Sequence, residues 1–160
     1  MSASNQSTHA ESPAGAASPD ALAAEIRAHG LRPTPARIAI LTHLREARDH
    51  PTVDGLRAAL REHHHDLGQA TVYQNLERLT DAGLVARFLD GAGLLRFDAN
   101  RTRHHHLLCT VCGRITDVTL EPGEARSVDR LAAGVSEKKQ GWAIAESQLE
   151  MRGVCPSCRG

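Results

Sequence analysis

Two Cys-x-x-Cys pairs, set far apart in the chain, constrain this sequence more than any other feature. Cys109-Thr-Val-Cys112 lies in its second half and Cys155-Pro-Ser-Cys158 close to its C-terminal end. Such a turn lets two thiolates converge on one cation, and two turns brought together complete a tetrahedral zinc site closed to solvent. Gly113 follows the first pair directly, where a small, turn-forming residue suits a zinc knuckle. Disulfides or a redox-active pair are the competing readings. Redox motifs come singly and open a helix, whereas both pairs here follow strand-like segments. The spacing therefore points to a structural Zn2+ held by Cys109, Cys112, Cys155 and Cys158. It would leave no open coordination position, and it would tie the C-terminus back to the middle of the chain.

Composition shows why a staple is useful. Of 160 residues 41% are hydrophobic but only 2% aromatic, so a core must be built from Leu, Val, Ile and Ala. Lys and Arg (19) balance Asp and Glu (19), which excludes a globally basic nucleic-acid binder and leaves a local footprint or metal-supplied charge. No apolar run approaches the roughly 18 residues that span a membrane. The Ser-, Ala- and Pro-rich stretch 1–19 lacks the basic and apolar regions of a signal peptide, and we read it as a flexible tail. A cytoplasmic location follows, where disulfides are rare.

After the tail the pattern is helical. Segment 20–29 carries Leu22 and Ile26 on one face and ends at Gly30. Thr34 and Pro35 open a second helix bearing Ile38, Leu41 and Leu44. Thr52 caps a third, with Val53, Leu56, Ala59 and Leu60, and segment 68–83 makes a fourth around Val72, Leu76 and Leu79. The period then changes to two strand-like runs, 84–89 and 94–97, joined by Asp90-Gly91-Ala92-Gly93. Helices followed by a hairpin predict a winged helix, with the fourth helix as the one that enters the major groove. Gln69, Thr71, Tyr73, Gln74 and Asn75 cluster near its start and can bond bases or phosphates. Arg32, Arg37 and Arg78 are candidate phosphate contacts. Farther on, 107–118 reads as two strands around the first knuckle, 123–133 as a covering helix and 142–154 as weakly alternating strand.

A second constellation surrounds the first pair. His104-His105-His106 precedes Cys109, and in a strand His104 and His106 share a face while His105 points away. Asp98, Asp117 and His50 complete a set of imidazoles and carboxylates that suits iron, manganese or zinc better than magnesium or calcium. Such a site binds less tightly than thiolates, so it can exchange metal. A further triplet, His63-His64-His65, lacks a comparable carboxylate pattern and reads as solvated surface.

Together the segments LRPTPARIAIL, DHPTVDGL, QATVYQNLERLTDAGLV, RFD, HHHLLCTVCGRITD and RGVCPSC resemble the ferric uptake regulator (Fur) superfamily over residues 22–158. That resemblance implies an α+β chain: an N-terminal winged-helix DNA-binding domain (20–98) and a small C-terminal α/β dimerisation domain (99–160). It implies a homodimeric, metal-dependent repressor of palindromic double-stranded operator DNA. Cys109, Cys112, Cys155 and Cys158 match the structural zinc ligands. His50, Asp98, His104, His106 and Asp117 match a regulatory Fe2+ or Mn2+ site between the domains, and Tyr73 matches a tyrosine that approaches thymine. Asp at both 98 and 117 resembles the peroxide-sensing (PerR) branch, in which iron-driven oxidation of a histidine ligand, here His50 or His104, releases DNA. The alternative is an iron or manganese uptake regulator answering to metal level only. Two positions depart from the pattern: Ser147 stands where some members have a histidine of a third metal site, and Gln74 where many iron sensors have Arg. No enzymatic role is expected. A zinc hydrolase would need an open site with a general base, and no HExxH arrangement is present. A zinc-stapled interaction module without sensing would have no use for the His and Asp set.

Overall fold

The computed structural model describes residues 18–47, 49–63, 65–139 and 142–160. The expected tail lies outside the described residues as far as residue 17, as does His64 of the histidine triplet. Caps chosen by the sequence set the first helices. Ser18 accepts from the Ala21 amide (3.2 Å) and starts α1 (Pro19–Ala28), one residue earlier than expected. Gly30, at φ 77°, closes it: its amide reaches the Arg27 carbonyl, and the Leu31 amide reaches Ile26. That pair of bonds is a Schellman stop, which needs a residue without Cβ strain at this point. Thr34 caps α2 (Pro35–Glu46) and Thr52 caps α3 (Val53–Glu62), each through its side-chain oxygen. In α4 (Gln69–Asp81) the N-cap is Gly68 and no side chain caps the end, so its leading amides remain open to an outside acceptor.

β1 (Ala86–Leu89) and β2 (Leu95–Asp98) form the antiparallel wing, with Ala86 opposite Asp98 and Leu89 opposite Leu95. The main core lies among these elements. Leu22, Ile26, Ile40, Leu41, Leu56, Leu60, Val72, Leu76, Leu79 and Leu84 are fully buried, and Phe97 joins them from the wing. The apolar stripes read from the sequence thus face one another.

The second half is built differently. β3 (His105–Cys109) lies between antiparallel β4 (Ile115–Val118) and parallel β5 (Glu150–Gly153), in the order β4-β3-β5. Its buried apolar side chains are few: Leu108, Cys109, Ile115 and Val128. The expected strand over 142–154 contracts to β5, whose residues are all exposed. The helix expected over 123–133 is α5 (Pro122–Lys138), started by a reciprocal Glu121/Glu124 capping box and continuing through Gly134. It was expected to cover the sheet, but among its described side chains only Val128 is buried, while Leu131 is 63% exposed and Val135 42%. Three short strands offer too little apolar surface to take a helix of this length. Among the described residues no helix is long and apolar enough to cross a membrane.

Leu76 is fully buried at the centre of the main core. Leu76→Ala is expected to destabilise the folded chain by about 2–5 kcal/mol, read as a lower urea midpoint with an unchanged slope.

Candidate metal centres and nucleic-acid interface

The four cysteines meet at the open end of the three-stranded sheet. Cys109 ends β3, Gly113 (φ 72°) turns the chain with its amide on the Cys109 carbonyl, and Cys112 lies inside that turn. Cys155 and Cys158 follow β5 through a short helical turn, Pro156–Cys158. The four sulfurs lie within 4.8 Å of one another, and Cys112 Sγ is 3.8 Å from Cys155 Sγ. Zn–S bonds of about 2.3 Å in a tetrahedron place sulfurs roughly 3.8 Å apart, the separation of Cys112 and Cys155 and near that of the set as a whole, so the four suit zinc. Backbone amides of Cys112, Cys155 and Val111 point at Cys109 and hold its thiol down at about 6. The Cys155 and Cys112 sulfurs hydrogen-bond Cys158 and push it up to about 12. Four thiolates cannot share this space without a cation.

The second cluster draws its side chains from both halves. His50 lies between α2 and α3 and Asp98 ends β2; His104 and His106 border and enter β3, and Asp117 lies opposite His106 on β4. Donor atoms of His50, His104, His106 and Asp117 all fall within 4.8 Å of one another. Asp98 Oδ2 adjoins them, 2.9 Å from His104 Nε2 and 3.6 Å from His50 Nε2. His50 Nε2 is 2.9 Å from Asp117 Oδ1, and His104 Nε2 is 3.1 Å from His106 Nε2. The strand alternation places His105 on the other side, where its Nδ1 accepts from the Leu149 amide.

The short contacts also couple the protonation of these groups. Burial pulls His50 down, but hydrogen bonds to Asp117 and Asp98 outweigh it and raise it to about 9. Asp98, with burial again opposing, raises His104 to about 8. Burial would raise Asp98 itself, yet hydrogen bonds from His104 and His50 keep it well below the usual carboxylate range. Asp117 is lowered likewise, against burial, by His50 and Asn100. His106 is lowered by burial and by the two charged rings beside it. Three imidazoles and two carboxylates around a point fit a first-row divalent ion, which would replace those protons.

Several residues that support this cluster escaped the sequence reading. Asn100 donates its backbone amide to Asp98 Oδ1 and its side-chain amide to Asp117 Oδ2, both at 2.7 Å, and so orients the two carboxylates together. The Thr102 carbonyl accepts from His104 Nδ1 at 2.7 Å, leaving Nε2 for the cluster. Arg96 donates to buried Asp90 and to the His50 carbonyl, joining the wing turn to that loop. Phe88 of β1 stacks on the His106 ring, with centroids 4.5 Å apart. An Asx turn at Asp98-Ala-Asn100 was the one signal available for Asn100. His50 has φ 49°, a left-handed conformation unusual outside glycine.

The fourth helix presents Gln69, Thr71, Tyr73 and Gln74 outward, with Tyr73 41% exposed, and Asn75 half-buried. The Asn75 amide is already used, donating to the Thr71 carbonyl at 2.7 Å. Arg32 and Arg78 are exposed, as a phosphate contact requires. Arg37 is not: it is 5% exposed and donates to the Arg32 carbonyl, so its task is to brace the loop before α2. Residues 105, 124 and 147 do not assemble a third site. His105 is bonded as above, the Glu124 side chain accepts from the Glu121 amide, and Ser147 accepts from Arg103. His63 and His65 are exposed, as read.

A family profile described as the ferric uptake regulator family matches residues 28–152. The peroxide-responsive repressor PerR of Staphylococcus aureus is 33% identical over 136 residues, covering 85% of this chain and 88% of that relative. The ferric uptake regulator of Vibrio cholerae superposes with a TM-score of 0.66 at 26% identity, over 82% of this chain and 98% of that one. The Pseudomonas aeruginosa ferric uptake regulator with manganese gives 0.63 at 27% identity, over 83% and 96%.

Two outcomes test these centres. Cys158→Ser is expected to abolish stoichiometric zinc, measured by elemental analysis, and to lower the thermal midpoint; full zinc content would refute the four-sulfur site. With His50 and His104 above neutral, a divalent ion entering the second site must displace their protons. Its affinity should therefore rise as pH is raised from 7 towards 9, with roughly two protons released per ion. Titration calorimetry in buffers of different ionisation enthalpy reads that number directly.

Proposed function

The chain belongs to the ferric uptake regulator family, and we propose that it is a metal-dependent transcriptional repressor that senses peroxide through one of its own histidine ligands. The observation that carries this reading is the origin of the second cluster. His50 and Asp98 come with the winged-helix half, and His104, His106 and Asp117 with the sheet half. A divalent ion shared by both sets ties the halves at one relative angle, which a protonated cluster holds only loosely.

Residues 20–98 then form the DNA-binding unit and 99–160 the dimerisation unit. Leu107, Leu131, Val135, Met151 and Val154 are exposed apolar side chains of the second unit, and a second copy would cover such a surface. In that homodimer two α4 helices enter successive major-groove turns of a palindromic duplex. Thr71, Tyr73, Gln74 and Asn75 face the bases, Arg32 contacts phosphate, and the uncapped start of α4 adds open amides. Cys109, Cys112, Cys155 and Cys158 hold a permanent Zn2+; His50, Asp98, His104, His106 and Asp117 take Fe2+ or Mn2+. The protein's role is regulatory and not enzymatic.

Bound ferrous iron supplies the chemistry that breaks the peroxide O–O bond. In the net change one oxygen atom enters a ring carbon of His50 or His104 and the other leaves as water. An oxidised ring is a poorer nitrogen donor, so the ion is lost and the two halves are uncoupled. His50 links the α2–α3 loop to the cluster and His104 leads into β3, so damage to either breaks the tie. Two short aspartates in the ligand set, and the resemblance to a peroxide-responsive repressor, favour this over an iron or manganese uptake regulator that follows metal level alone.

The test is DNA binding by iron-loaded protein, on a palindromic duplex selected from a random pool, before and after a brief anaerobic pulse of hydrogen peroxide. Loss of binding by the iron form only, with a manganese-loaded control unaffected, is the expected result. Binding that survives peroxide in both forms and falls only on chelation would establish the metal-level regulator instead.

A further inference from the structure

Phe88 is the aromatic carbocycle that the wing inserts against the metal cluster. Its ring stacks on His106 at 4.5 Å with an interplanar angle of 22°, and meets His50 edge to face at 5.6 Å. Both of those imidazoles direct Nε2 into the cluster, beside Asp117. The other aromatic rings stand elsewhere: Phe97 in the main core, Tyr73 on the outer face of α4, and Trp142 72% exposed. Backbone pairing holds Phe88 in place, opposite Arg96, whose side chain is bonded to the His50 carbonyl. The ring is thus an oxidisable carbon surface in van der Waals contact with the ligands of the ion, half-buried and hard to move aside.

We propose that Phe88 is a modification site: its ring is hydroxylated when hydrogen peroxide meets ferrous iron in the His50, His104, His106 and Asp117 cluster. This rests on the peroxide-sensing reading above. The reaction balances with peroxide as sole oxidant. The O–O bond breaks at the ferrous ion, and one oxygen replaces a ring hydrogen as C–OH. The displaced hydrogen leaves with the second oxygen as water. Two electrons pass from the ring to peroxide overall, so iron is not consumed. The product places a phenolic hydroxyl on β1, against the His106 and His50 rings, where its added volume crowds the stacked contact. The wing of a modified chain therefore seats less well on the sheet half, even after fresh metal is supplied.

The sequence makes the test unusually clean. Trypsin releases Phe88 in FLDGAGLLR (88–96), where it is the only aromatic residue and no His, Cys or Met accompanies it. His50 falls in DHPTVDGLR (49–57), and His104 and His106 fall in HHHLLCTVCGR (104–114). Iron-loaded full-length protein is treated anaerobically with about one equivalent of hydrogen peroxide, quenched with chelator, digested and sequenced by tandem mass spectrometry. The 88–96 peptide is expected to gain the mass of one oxygen on its first residue. The gain should vanish in manganese-loaded protein and in Asp117→Ala, while exposed Trp142 reports any oxidant loose in solution. Oxygen found on the 49–57 or 104–114 peptides with 88–96 unchanged would overturn the Phe88 assignment and leave the peroxide-sensing reading intact. No oxygen on any of the three peptides would overturn both. A gain on 88–96 that persists without metal, or that merely matches Trp142, would also overturn it, because the ring would then be reacting with bulk oxidant.

Discussion

The convergence of four sulfurs at the end of β3 and β5 is the constraint on which the second half of this molecule depends. A parallel pair such as β3 and β5 has no hairpin to enforce it, and here the chain between them includes a 17-residue helix that packs mainly on solvent. Few apolar side chains are buried in that half. The first half is the opposite case: its leucines and isoleucines close over one another and need no cross-link. One chain therefore combines two ways of being stable, hydrophobic burial at the N-terminal side and coordination at the C-terminal side.

The histidine and aspartate cluster lies where these two regimes meet. Its carboxylates and imidazoles form a charge network that is satisfied by protons or by one divalent ion, and the two occupants differ in geometry. Protons join neighbours pairwise, as His50 with Asp117 and His104 with Asp98. A single ion must be shared by residues from both halves at once. Asn100 makes that sharing possible by aligning both carboxylates, so the segment between β2 and β3 is also the orienting layer of the site.

Much of this was legible in the sequence because it is local chemistry. The Thr34 and Thr52 caps, the Gly30 stop, the stripe of Val72, Leu76 and Leu79, and the opposite facing of His105 from its neighbours are consequences of capping chemistry and of helix or strand periodicity. The two Cys pairs and the His and Asp set were legible because ligand types and spacings are restrictive. What escaped was long-range or depended on surroundings. Nothing about Arg37 distinguishes a surface cation from one that turns inward to a backbone carbonyl. Phe88 reads as an ordinary strand residue until the wing folds back over His106. The apolar face of α5 suggested a covered helix, and periodicity does not report whether the covering surface belongs to the same chain.

The backbone at His50 sets one further property. A non-glycine residue at φ 49°, directly before Pro51, holds a conformation that its own side chain and the proline ring both disfavour. Positions of this kind cost on the order of 1–3 kcal/mol and persist only when their surroundings impose them. Here the surroundings are the His50–Asp117 contact and the Arg96 side chain on the His50 carbonyl, so the folded protein itself holds the loop in this shape. The kink at His50 is thus preorganisation: folding meets the strain, so little of an ion's binding energy goes into reshaping the loop.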